Sequence, residues 1–136
     1  MGESIMKKFG KRILALGVAL GVICGISSVA FAASSLTVTI NGSKATCNST
    51  INRDEARAYT NYNGSGAVSV TSTAVSVYIP TGTIHKITRT KGNYGTASVT
   101  ITKPSGDLNK RVTSNHSVSV SNQTWKGTTE NKYWQG

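Results

Sequence analysis

The sequence predicts an all-β domain: a small antiparallel β-sandwich, or a partly open barrel, of about seven or eight short strands. Three observations carry this. Apolar residues alternate with Thr, Ser and Asn at period two over much of residues 33–136, the mark of strands with one buried face. Turn-forming clusters recur about every 8–12 residues. No stretch beyond residue 32 has the spacing of an amphipathic helix.

Residues 1–32 read as a secretory signal peptide. Lys7, Lys8, Lys11 and Arg12 make its basic start, residues 13–29 are apolar and small, and Ala30-Phe31-Ala32 offers a small–x–small cleavage site before Ala33. The rival is a retained anchor, which the glycines and the cleavage site argue against. Met6-Lys7-Lys8 is a more usual opening than Met1-Gly2-Glu3-Ser4. Ile23 stands where lipid attachment at Cys24 wants a small residue, so no lipid anchor is expected. The reading is one secreted domain, residues 33–136, extracellular or wall-associated, with a leader of bacterial type.

Leu36, Val38 and Ile40 open the alternation, and Asn41-Gly42 signals a hairpin, since both positions of that turn take positive φ. Ala45, Cys47 and Ile51 share a phase on the return strand, with Ser49 a weak spot. Arg53-Asp54-Glu55 makes an exposed corner with room for one helical turn. Ala56 to Tyr62 forms a third strand, with Ala56, Ala58 and Tyr62 on one side and Tyr59 on the other, closed by Asn63-Gly64-Ser65-Gly66. The apolar phase then passes from Val68 and Val70 to Val75, Val77 and Ile79, which predicts a bulge or a tight connection near 71–74. Pro80-Thr81-Gly82 ends that run. Ile84 to Thr90 is a strand without a clean face, and 91–95 reads as a hairpin loop. Ala97, Val99 and Ile101 alternate up to the turn cluster 103–107. Val112 opens the next segment, Val118 and Val120 continue it, and the tail from Thr124 supplies a last strand.

Residues 33–136 carry 11 Lys and Arg against four acids, and 42 of these 104 residues are Ser, Thr or Asn. Such a composition verges on that of disordered chains. The period-two pattern overrules it. Cys47 has no second cysteine after the leader, so no internal disulfide is expected, and its phase predicts a buried thiol rather than a link between two copies. No catalytic residue, metal site or cofactor is predicted. Cys47 has neither a basic neighbour nor a helix N-terminus to activate it, and Asp54 and Glu55 point to opposite faces of any strand. His85 and His116, 31 residues apart, read as surface imidazoles. Five Asn-x-Ser/Thr sites are what so much Ser and Thr produces by chance.

The charges point to a partner. Lys86, Arg89, Lys91, Lys110 and Arg111 fall around the loops expected at 91–95 and 103–111, where they would form a cationic patch for a polyanion. Tyr94 and Trp134 are the candidate aromatic contacts, while Trp125 is expected in the core. The partner class is an anionic wall polymer, lipid or polysaccharide, with peripheral membrane contact compatible and no specific nucleic acid. In format, a leader followed by a basic, Ser/Thr/Tyr-rich β domain ending in aromatics, the chain resembles small secreted proteins of Gram-positive bacteria. Among these the lactococcin-type bacteriocins are β-sandwiches that act on the cell envelope. The likeness implies a bacteriocin-like envelope binder and assigns no residue a role. The rival is a structural or self-assembling exoprotein pairing through its sheet edges. A small hydrolase or protease inhibitor presenting residues 79–82 ranks third.

Overall fold

The computed structural model describes residues 33–133. The leader and Trp134 lie outside them. Eight strands follow one another: β1 (Ser35–Ile40), β2 (Ser43–Ile51), β3 (Glu55–Tyr62), β4 (Ala67–Tyr78), β5 (Thr83–Tyr94), β6 (Thr96–Thr102), β7 (Asp107–Val120) and β8 (Gln123–Lys132). They build two antiparallel sheets packed on each other, the first in the order β1-β2-β3-β6 and the second β5-β4-β7-β8. All eight strands and the core between the two sheets lie among the described residues.

Turn chemistry sets the connections. Asn41 and Gly42 take φ 51° and 84°, as the β1–β2 hairpin requires. The corner after β2 holds no helix. Instead the Asn52 side-chain carbonyl accepts from the N–H groups of Asp54 and Glu55, at 2.9 Å each. Gly95, at φ 84°, carries the chain from β5 in the second sheet to β6 in the first.

The core is assembled from small side chains. Ala45, Cys47, Val70, Val112 and Val118 are fully buried, and Trp125 is the largest ring among the buried residues. Burying an indole stabilises by roughly 4–6 kcal/mol in area terms, an upper figure because unfolded chains shelter some of it. Gly127 makes room for it, since a Cβ there would meet the Trp125 ring at 2.5 Å.

Several expectations are corrected. The strands are not all short: β4 and β5 each span 12 residues and β7 spans 14. Of the hairpin loop expected at 91–95, Lys91 to Tyr94 are strand, pairing with Val70 to Ala67, and only Gly95 is a connection. No bulge interrupts 71–74. The register shifts instead where Val75 pairs Arg111 and Ser76 pairs Asn109, which leaves Lys110 of β7 unmatched. β4 therefore keeps one phase: Val68, Val70, Ser72, Ala74 and Ser76 face the core. Val75 and Val77 point outward yet are buried, Val75 bracketed by Lys86 and Arg111 and Val77 by Ile84 and Leu108, whose aliphatic portions shelter them. His116 is a core residue, 1% exposed, and not a surface imidazole.

Candidate functional site

Paired residues in antiparallel strands share a face, so the registers lay out the outer face of the second sheet row by row. One row runs Lys86–Val75–Arg111–Lys132 across β5, β4, β7 and β8. Its three cations are exposed, and with strands about 4.8 Å apart they span about 14 Å. Arg111 and Lys132 stand directly opposite each other. Like charges so placed cost some tenths of a kcal/mol to about 1 kcal/mol. Among the described residues none of the three forms an ion pair; the ion pairs there are Arg57–Glu55, on the outer face of the first sheet, and His85–Asp107.

The expected cationic patch is thus partly assembled, on strands and not on loops. Lys86 and Arg111 share the row. Arg89 and Lys91 pair with Ser72 and Val70, so they lie on the core-side phase of β5, exposed because β5 is the edge of its sheet. Lys110, the unmatched residue of the bulge, is half-buried, and its carbonyl accepts from the Tyr133 N–H at 2.8 Å. Tyr94 ends β5, in the row Tyr94–Ala67–Ser119–Thr124 and four rows from Lys86, or about 27 Å. Lys126 and Lys132 were missed by sequence reasoning. Both lie on the solvent phase of β8, opposite in phase to Trp125, and that alternation was the available signal.

Between the end rows the face is a lattice of hydroxyls. Thr71 and Thr90 meet at 3.0 Å, Thr73 and Thr88 at 2.9 Å, and Ser69 and Ser117 at 2.7 Å. The Thr128 hydroxyl donates to the Asn115 side-chain carbonyl at 3.0 Å. Gly92, Ser69 and Ser117 leave the row containing Lys126 low, and a shallow depression of about 470 Å³ lies over Ser69, Thr71, Asn115, Lys126 and Thr128. Glu130 is the acid on this face, one row from Lys132. Such a surface can hold charge and hydroxyls of a ligand but offers no deep enclosure.

Two polar groups lie inside. The first is a chain linking both sheets: Ser72, Ser114, Ser49, Thr129, His116 and Thr60. Ser72 and Ser114 meet at 2.7 Å, the Ser49 hydroxyl donates to Ser114 at 2.7 Å, and Ser49 and Thr129 meet at 2.5 Å. Thr129 lies 2.7 Å from His116 Nε2, and Thr60 lies 2.8 Å from Nδ1 while donating to the Ser69 carbonyl at 2.9 Å. Following the hydrogens gives a conflict. Ser49 and Thr60 have given theirs away, so Thr129 must donate to Ser49 and both ring nitrogens of His116 must donate. A doubly protonated ring would satisfy every link. Burial opposes it and lowers the His116 pKa to about 4. One hydrogen bond is worth about 1 kcal/mol, an uncompensated buried charge several. Burial wins, so the ring is neutral at pH 7 and one link goes without its hydrogen.

The second group sits at one end of the sandwich. Asp107 Oδ2 accepts from the Ser76 hydroxyl and from His85 Nδ1, both at 2.7 Å, while its Oδ1 is buried without a partner. Burial raises this carboxyl's pKa, but the bonds from Ser76 and His85 and the charges of His85 and Lys103 outweigh it and hold the group below its usual range. The contact fixes a half-exposed imidazole, yet no nucleophile or second base is placed beside it by a hydrogen bond among the described residues. There, too, no three metal-ligating side chains gather. Cys47 has no exposed surface, and burial pushes its thiol pKa up. No protein-family model matches the chain, and searches of the curated proteins and of the solved structures find no match.

Proposed function

We propose that the protein is a secreted, non-catalytic β-sandwich that binds an anionic polymer of a bacterial cell envelope through the outer face of its second sheet. The row Lys86–Arg111–Lys132 carries the reading: three exposed cations, without an ion pair among the described residues, share one line, and two of them stand directly opposite on neighbouring strands, a like-charge placement that folding alone does not favour. An anionic group over the row turns that repulsion into attraction. Glu130 on the same face disfavours DNA, whose phosphates carry one charge per about 1.7 Å and demand continuous cations. The exposed apolar side chains of this face, Ile84 and Tyr94, stand five rows apart at the two ends of β5 and not together, which favours a wall polymer or acidic polysaccharide over insertion into lipid. The test is co-sedimentation with purified cell walls across a salt series, with walls stripped of anionic polymer as control. Binding that vanishes with salt, with stripping and with Lys86→Gln/Arg111→Gln/Lys132→Gln supports the reading; binding indifferent to all three sinks it. A bacteriocin-like role adds the demand that the protein inhibit growth of a related strain.

The rival, a self-assembling exoprotein, draws on β5, a 12-residue strand exposed at a sheet edge. Antiparallel pairing of two β5 strands about Thr88 and Arg89 would set Lys86 against Lys91, which opposes it. Sedimentation showing a stable monomer removes this reading.

A further inference from the structure

We propose that Tyr94 and the hollow beside it form a subsite for one neutral sugar ring of a polysaccharide. The hollow, about 600 Å³, is walled by Tyr94 and Gly95 and lined by Gly64, Gly66, Ser119 and Ser121. Tyr94 is 78% exposed, far more than any other aromatic described, and its cross-strand neighbour Ala67 has only a methyl group to offer it. A pyranose presents a face of C–H groups and a rim of hydroxyls. It therefore asks for an aromatic platform beside a set of hydroxyls and backbone polar groups. Tyr94 supplies the first, and Ser65, Ser119, Ser121 and the glycine backbone the second. No charged side chain lines the hollow, so an anion there would lose water without gaining a partner, which selects a neutral ring.

The floor is held in advance. A Cβ on Gly66 would meet the Ser119 carbonyl and Val120 at 2.8 Å, and one on Gly64 would meet Ser43 and the Tyr62 ring at 2.8 Å. The Gly95 carbonyl accepts from the Tyr62 N–H at 2.7 Å, and the Gly95 N–H donates to the Gly66 carbonyl at 3.4 Å. A floor packed this closely has little left to order on binding. The hollow also shares the outer face with Lys126 and, four rows on, with the cationic row. The occupant is then a glycan with neutral rings as well as anionic groups. This path along the face rests on the envelope-polymer reading; the sugar subsite is tested apart from it.

The experiment is an amide NMR titration of residues 33–136 at about 0.5 M salt, where exposed-charge contacts are screened, with neutral oligosaccharides of glucose, galactose and N-acetylglucosamine as probes. At least one is expected to give saturable shifts at 64–66, 94–95 and 119–121. Tyr94→Ala should weaken that binding about ten-fold, with its own spectrum showing it folded, while Tyr94→Phe and Lys86→Gln/Arg111→Gln/Lys132→Gln retain it. No saturable shift with any of the three, shifts that map elsewhere, or binding untouched by Tyr94→Ala overturns the subsite. Salt-sensitive wall binding that persists beside such a result leaves the envelope reading standing.

Discussion

Acidification from neutral pH toward 4 should weaken this domain through the His116 side chain. Its imidazole has a pKa of 6.5 when unfolded and about 4 in the folded chain, because burial disfavours its charge. Between those values the unfolded state holds a proton that the folded state lacks. Stability is therefore complete above pH 6.5 and declines as the pH falls toward 4. At 1.36 kcal/mol per pH unit the loss over that window is about 3 kcal/mol, a large share of the roughly 5–15 kcal/mol that domains of this size possess. Asp107 acts in the same direction but lower down. Its carboxyl is held below the usual value of 3.8, so its contribution is lost only as the pH falls beneath that value. Urea unfolding at pH 7, 6, 5 and 4, followed by tryptophan fluorescence, measures the effect. His116→Gln keeps a donor and an acceptor between Thr60 and Thr129 but does not titrate, so it should be less stable at pH 7 and nearly flat between 6.5 and 4. Equal pH slopes for the two proteins would refute the assignment.

Other substitutions probe the packing and the face separately. Gly127→Ala drives a methyl into the Trp125 ring and against Leu36, and should destabilise by about 1–3 kcal/mol, read as a lower urea midpoint. Thr129→Val keeps the shape but leaves His116 Nε2 and Ser49 short of a partner, at a cost of about 1–3 kcal/mol in the same assay. Lys86→Gln/Arg111→Gln/Lys132→Gln should leave stability unchanged or slightly raised, since it removes the repulsion between like charges in one row, and a clear fall in Tm would show the row to be structural. Native Cys47 should resist a thiol reagent until denaturant is added, and the sedimentation coefficient should be the same with and without reductant.

The legible parts of the fold are those where one strand face meets the core and the other meets water. β1, β2 and β6 show alternation in the sequence, and Asn41-Gly42 announces its turn in the residue types that positive φ demands. β5 was only partly legible, because an edge strand exposed on both faces has no apolar phase to reveal it and Gly92 mimics a turn. Val75 and Val77 misled for a related reason: they are apolar on the outer phase, sheltered by neighbours that only the register identifies. The buried position of His116 could have been read from parity. Val112, Ser114, His116, Val118 and Val120 share one phase, but a polar core member carries no hydrophobic signal of its own. The candidate site was half visible for the same kind of reason. Lys86 and Arg111 were singled out, but their alignment with Lys132 depends on the pairing of three strands, which the one-dimensional pattern does not contain.

Whether the cationic row binds envelope polymer is read from the fraction of residues 33–136 bound to purified walls at low ionic strength, compared with that of Lys86→Gln/Arg111→Gln/Lys132→Gln. The parent should bind strongly and lose that binding as salt rises from about 0.05 to 0.5 M, beyond the reach of screened charges, and the variant should bind about ten-fold more weakly even at the lowest salt. Equal binding of parent and variant at every salt concentration, or no binding of the parent at all, would show that the row does not bind the wall.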